Sequence, residues 1–208
     1  MAYRATANTE AKKSESRARL LSAGLTLVYE GGFNNITISK VAKKANVATG
    51  TVYRYFASKG ELCEEIFLMA TQIELDKVTE TCQMPDKPPI ERMQLTLTEF
   101  ARRAIKGRRL AYALIAEPVD SMLDETRLQF RKAYAEQFAN VIEQGIATQD
   151  FVPQPAMISA TAIVGAVSEA LIGPLSPDNS DPIESQQLTD DLVNFCLRAL
   201  SGKAITAR

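Results

Sequence analysis

Apolar residues recur at intervals of three and four almost from end to end of the chain, and no stretch shows the strict alternation of a half-buried strand. Leu20, Ala23, Gly24, Leu27 and Val28 form one face of a first helix, which Gly31-Gly32 can stop. Thr37 can cap a short second helix that carries Val41, Ala42 and Ala45 inward and Lys40, Lys43 and Lys44 outward. Asn46 tolerates the left-handed backbone of a tight turn, and a third helix is expected from Ala48 to Phe56. Ser58-Lys59-Gly60-Glu61 has the form of a capping box and opens a fourth helix reaching Gln83. Pro85, Pro88 and Pro89 break it.

Met93, Leu97, Phe100, Ala101 and Ala104 lie on one stripe of a fifth helix, and Gly107 separates it from a sixth spanning Arg108 to Glu117. Phe130, Tyr134, Phe138 and Val141 are in register on a seventh, which Gly145 can close. The eighth, Ala156 to Leu175, is rich in small apolar residues; the ninth carries Leu188, Leu192, Phe195, Ala199 and Leu200 on one face. The stretch GPLSPDNSDPIES between them reads as a loop. These patterns predict an all-α protein of about nine helices, with a three-helix amino-terminal helix-turn-helix domain and a larger helical domain. The expected boundaries are 1–16 for a flexible basic arm, 17–62 for the helix-turn-helix domain, 63–202 for the larger domain and 203–208 for a tail.

Charge changes the picture. Overall the chain carries −1, but residues 1–60 hold ten Lys/Arg against three Asp/Glu, a net of +7, and the remainder a net of −8. A basic head on an acidic body suggests a head that binds a polyanion. Histidine is absent, which removes the commonest general base and metal ligand, and no glycine-rich phosphate loop appears. No catalytic site, metal or cofactor is therefore expected. Cys63, Cys82 and Cys196 lie far apart, as in a reducing cytoplasm, and the amino terminus has no apolar signal region. Residues 156–175 are apolar enough to consider as a membrane span, but Ser159, Thr161, Ser168 and Glu169 favour a buried helix and no membrane.

From Ile38 the second and third helices have helix-turn-helix spacing, with small or apolar Val41, Ala42, Ala45, Val47 and Val52 where two helices cross. The third helix is expected to expose Thr49, Gly50, Tyr53 and Arg54 while Val52 and Phe56 face inward. Small residues at its front let the backbone approach a groove, and the hydroxyls and guanidinium supply donors for phosphates and base edges. The run GGFNNITISKVAKKANVATGTVYRYFASKGEL, Gly31 to Leu62, resembles the DNA-binding domain of the TetR family of bacterial transcriptional regulators. The rest of the chain resembles that family only in architecture. By position, the resemblance implies that Thr37 touches a phosphate, that Thr49, Gly50, Thr51 and Arg54 enter the major groove, and that Tyr53, Tyr55 and Lys59 grip the backbone. Lys40 is the best-placed lysine of the second helix, and Arg4, Lys12 and Lys13 can add contacts from the arm. Ala48 departs from the serine cap usual in the family, and Gly60 from the usual glutamate.

The resemblance further implies a dimeric regulator, most simply a ligand-responsive repressor that binds a pseudo-palindromic double-stranded DNA operator in the cytoplasm. Its largely apolar small-molecule effector would meet Phe67, Met69, Phe100, Tyr112, Phe130, Tyr134 and Phe138, although Phe67 and Met69 are two apart and do not share a helix face. Glu169, an isolated carboxylate in an apolar helix, either binds the effector or faces solvent. The apolar surplus of the last two helices points to a homodimer interface through Val164, Val167, Leu171, Leu192 and Phe195. The alternative is a helical protein-interaction module whose helix-turn-helix is structural.

Overall fold

The protein is described by a computed structural model covering residues 7–180 and 183–202; Arg4 and the expected tail at 203–208 lie outside the described residues. Among the described residues there are nine α-helices, a 3-10 turn and no strand. The chain divides into two compact units, 1–70 and 71–208. The division falls inside the fourth helix rather than between residues 62 and 63. Leu62, Cys63, Ile66, Phe67 and Ala70 are buried in the first half of that helix, while Val78 and Cys82 belong to the core of the second unit.

In the first unit, α1 (Ala7–Gly31) begins ten residues before the expected start. Residues 7–16 contain no glycine or proline and many good helix formers, so nothing interrupts the helix before Leu20, and Lys12 and Lys13 are helical. Leu20, Ala23, Leu27 and Val28 are buried as the periodicity predicts, each large side chain contributing about 1.5–3 kcal/mol of transfer free energy. Gly24 marks the crossing with the fourth helix: a Cβ there would lie 2.3 Å from Ile66 Cδ1. Gly32, at φ 74°, turns the chain into the 3-10 turn Phe33–Asn35. After it come α2 (Ile38–Lys44), α3 (Thr49–Val52) and α4 (Lys59–Cys82).

The second unit holds α5 (Pro89–Lys106), α6 (Arg108–Ile115), α7 (Ser121–Ala147), α8 (Ala156–Leu175) and α9 (Ser185–Ser201). Helix α5 touches α6, α7, α8 and α9, and α7 runs against α8. Proline at the first position of α5 and Asp120 before α7, whose Oδ1 accepts from Leu123 N at 3.0 Å, define the two starts. Helix α7 does not close at Gly145. It continues to Ala147, and Gln149 takes the left-handed conformation (φ 66°). Gly145 instead makes room for Phe151, whose ring would lie 2.2 Å from an added Cβ.

Helices α8 and α9 differ most from expectation. Ala160, Ile163, Val164, Val167, Leu171 and Leu175 are buried in the core of their own unit. On α9 the buried stripe is Thr189, Leu192, Val193, Cys196 and Leu200, with Phe195 54% exposed and Ala199 exposed. Val164, Val167, Leu171 and Leu192, expected at a dimer interface, therefore face inward; of the five only Phe195 faces outward. Periodicity places residues on a shared face but does not say whether that face meets its own core or another subunit. The outward face of α8 carries Ile158 (70% exposed), Thr161, Ala162, Gly165 and Glu169. This helix is long and apolar enough to cross a membrane, but its buried stripe packs on α6 and α7.

Candidate nucleic-acid interface

The helix-turn-helix is built on short-range hydrogen bonds. Thr37 Oγ1 accepts from Lys40 N at 3.2 Å, an amino-terminal cap of a kind typically worth about 1 kcal/mol. Ala45 ends α2, and Asn46 takes φ 54°, the left-handed turn its side chain tolerates. Val47 N then bonds back to Ala42 O at 2.9 Å. Ala48 stands at the cap of α3 with no side-chain cap bond, so only its backbone carbonyl, accepting from Thr51 N at 2.8 Å, holds the start. The α-helix is shorter than predicted. It spans Thr49–Val52 and passes into a turn in which Tyr55 N and Phe56 N both bond to Val52 O at 3.0 Å.

Burial separates the two sides of this element. Val52 and Phe56 are buried, and Arg17 lies 5.4 Å over the Phe56 ring. On the opposite side Thr49, Gly50 and Arg54 are exposed and Tyr53 is 57% exposed; Thr51 and Tyr55 are half-buried. An added Cβ at Gly50 meets nothing within 4 Å. The side chains of Arg54 and Lys59 and the hydroxyls of Tyr53 and Tyr55 make no hydrogen bond or ion pair within the described residues. Lys40 is exposed but engaged, its Nζ donating to Asn35 O at 3.2 Å and to Asn35 Oδ1. The reciprocal box at α4 forms in altered shape: Ser58 Oγ accepts from Glu61 N at 3.1 Å, while the Glu61 carboxylate accepts from Ala57 N.

The residues expected around an effector do not all converge. Phe67 is 1% exposed and packs on Phe33 in the first unit, ring centroids 5.9 Å apart, so it is core of the head rather than a cavity wall. Met69 also belongs to that unit. Phe138 is buried in the core of the second unit, Tyr112 is half-buried against it, Phe130 is half-buried on α7, and Glu169 is exposed. Phe100 and Tyr134 do meet, edge to face at 6.2 Å. Burial pushes the Tyr134 hydroxyl well above its ordinary range, and Glu74 adds to the effect. That hydroxyl reaches only weakly, at 3.5 Å, toward Thr71 O, and Thr71 Oγ1 is buried with no hydrogen-bond partner. Thr71 is the residue that sequence reasoning missed. A lone threonine on a helix face has no periodic signal that marks it.

Among the described residues the fold is all-helical, and α3 with the turn after it carries exposed hydroxyls and a guanidinium whose side chains have no internal partner, groups chemically suited to phosphates and base edges. Residues 20–66 match the family model described as bacterial regulatory proteins, tetR family. The transcriptional repressor KstR of Rhodococcus jostii is 37% identical over 91 residues, 43% of this chain and 41% of that protein. The KstR of Mycobacterium tuberculosis is 28% identical and covered over 62% of its length, so the chain spans less than two thirds of either relative. The transcriptional regulator UidR of Escherichia coli is 23% identical over 96% of this chain and 98% of its own. These relatives are transcriptional regulators rather than enzymes. In fold the chain is similar to the regulator FadR from Bacillus subtilis, in complex with stearoyl-CoA (TM-score 0.73, 17% identity, covering 88% of this chain and 98% of that one). It is similar also to RolR in complex with resorcinol (TM-score 0.65, 19% identity, 93% and 91%).

Proposed function

We propose that the protein is a ligand-responsive repressor that binds a pseudo-palindromic operator as a homodimer. The observation that carries this reading is the α3 face: Thr49, Gly50, Tyr53 and Arg54 stand exposed on one side, with Val52 and Phe56 buried behind them. Thr49, Gly50, Thr51 and Arg54 read base edges in the major groove, and Thr37, Tyr53, Tyr55 and Lys59 hold phosphates. Lys40 exchanges Asn35 for a phosphate on binding. The +7 charge of residues 1–60 supports the same assignment. The protein acts on chromosomal DNA and hence in the cytoplasm.

The dimer forms through the outward faces of α8 and α9, with Phe195, Ile158 and Gly165 at its centre; exposed apolar and small residues on adjacent helices support this. The effector occupies the space beside Phe100 and Tyr134, where Thr71 Oγ1 offers an unused hydrogen bond. It is a largely apolar molecule with at least one polar group. Stearoyl-CoA and resorcinol, bound by proteins of similar fold, each join an apolar part to polar groups. Effector binding shifts the equilibrium toward a state of lower operator affinity.

The test is a binding isotherm on operator and random duplexes across a salt series. Log K is expected to fall steeply with log salt, by about 0.9 per neutralised phosphate. Arg54→Ala is expected to reduce the preference for operator over random DNA, and Lys59→Ala to weaken both alike. Salt-insensitive binding, or two variants with the same profile, contradicts the assignment.

A further inference from the structure

Arg92, in the first turn of α5, is a charged side chain only 7% exposed. Its Nη1 donates to Cys82 O, at the end of α4, at 2.9 Å; its Nη2 donates to Gln144 Oε1, on α7, at 2.7 Å. Both acceptors are neutral. No carboxylate lies within ion-pair distance among the described residues, and Nε is buried without a hydrogen-bond partner. A buried guanidinium ordinarily carries a counter-charge, because removing it from water costs several kcal/mol that neutral acceptors offset only in part. Arg92 also forms part of the wall of a cleft of about 430 Å³, within the size range of small-molecule sites. The rest of that wall is rich in side-chain amides: Gln83 beyond α4, and Gln137, Asn140 and Gln144 on α7. Each amide offers two N–H donors to an oxyanion.

We infer that this cleft between the end of α4, the start of α5 and the carboxy-terminal half of α7 binds a small oxyanion, with Arg92 as its charge partner and the α7 amides as neutral donors. Glu143, exposed on the same wall, restricts the occupant to low negative charge or to a molecule that also carries a hydroxyl or amine facing it. This site is distinct from the Phe100–Tyr134 pair and does not depend on how the protein reads DNA. Carboxylate and phosphate share the recognition chemistry described, and the experiment separates them.

The arginine Nε–H signals of the full-length ¹⁵N-labelled protein, assigned through bonds, are followed while sodium acetate or sodium phosphate replaces sodium chloride at fixed ionic strength. A saturable shift of the Arg92 signal in one series is the expected result, and the series that produces it names the oxyanion. Asn140→Asp and Gln137→Glu put a carboxylate on the cleft wall without touching Arg92, and each is expected to raise the midpoint at least about tenfold. The inference is overturned if the Arg92 signal moves no more than in chloride, moves linearly without saturating in both series, or saturates at unchanged midpoints in both variants. Phosphate held by the DNA-binding head moves the Arg54 signal instead and leaves Arg92 still, which also counts against it. Loss of operator binding with a normal Arg92 titration would overturn the repressor reading and leave this site standing.

Discussion

Two glycines show how differently single residues act here. Gly145 sits under Phe151, whose Cδ2 and Cε2 would lie 2.2 and 2.5 Å from an added Cβ. The ring is rigid and Phe151 is buried, so Gly145→Ala forces a backbone shift. The expected cost is about 1–3 kcal/mol in urea denaturation, partly recovered by adding Phe151→Leu. Gly50 has open space around it and caps no turn of positive φ. Gly50→Val is therefore expected to leave folding stability within about 0.5 kcal/mol of the parent. Operator affinity should nevertheless fall, because the added methyls occupy space between α3 and the groove. Measuring both quantities on the same sample separates a folding role from a contact role; unchanged operator affinity would remove Gly50 from the proposed interface. Gly50 was legible in the sequence through its place in the motif. Spacing alone makes Gly145 a candidate helix stop, since local sequence cannot show that Phe151 folds back on it.

At the scale of helices, the second unit is tied by ion pairs as well as by its apolar core. Glu74 on α4 accepts from Arg103 Nε of α5 at 2.8 Å and from Lys77 Nζ at 2.9 Å. Burial alone would raise its carboxyl, but the two cations outweigh that and hold it below its ordinary 4.5. A carboxyl depressed in the folded state contributes stability above its unfolded value and loses that contribution as pH falls through the folded one. Glu74→Gln is thus expected to lower stability by about 1 kcal/mol at neutral pH, the figure discounted for partial exposure. Its deficit should vanish below the carboxylate range; equal deficits at pH 7 and pH 3 in urea denaturation would show that packing, not charge, is at work. The seventh and ninth helices carry the lesson about legibility. Their existence and approximate spans follow from three- and four-residue spacing, but on α9 the inward face is the Thr189–Leu192–Cys196 stripe rather than the one through Phe195. Apolar residues occupy both faces of that helix, and periodicity alone does not rank them.

For the whole molecule, the unpartnered side of α8 matters most. Gly165 lies on it with nothing within 4 Å of an added Cβ, so the unit itself accommodates a side chain there. Gly165→Arg replaces the poorest helix former after proline with a good one and should not destabilise the isolated subunit. If α8 and α9 form the proposed dimer, the same change blocks close approach of the partner helix. Sedimentation is expected to show monomers, with circular dichroism unchanged and operator affinity reduced as the two heads become independent. A variant that remains dimeric moves the interface elsewhere. Phe195→Glu tests the neighbouring helix in the same way.

The sequence by itself determined the helical class, the order of the helices, the turn at Asn46 and the α3 face, because these depend on spacings of a few residues and on local backbone preference. Tertiary structure decided what local patterns leave open. It assigned Phe67 to the head, turned Val164, Val167, Leu171 and Leu192 inward, and brought Arg92 to Cys82 and Gln144. Each of those outcomes depends on which distant surface a helix face meets, and that is settled by packing among helices far apart in the chain.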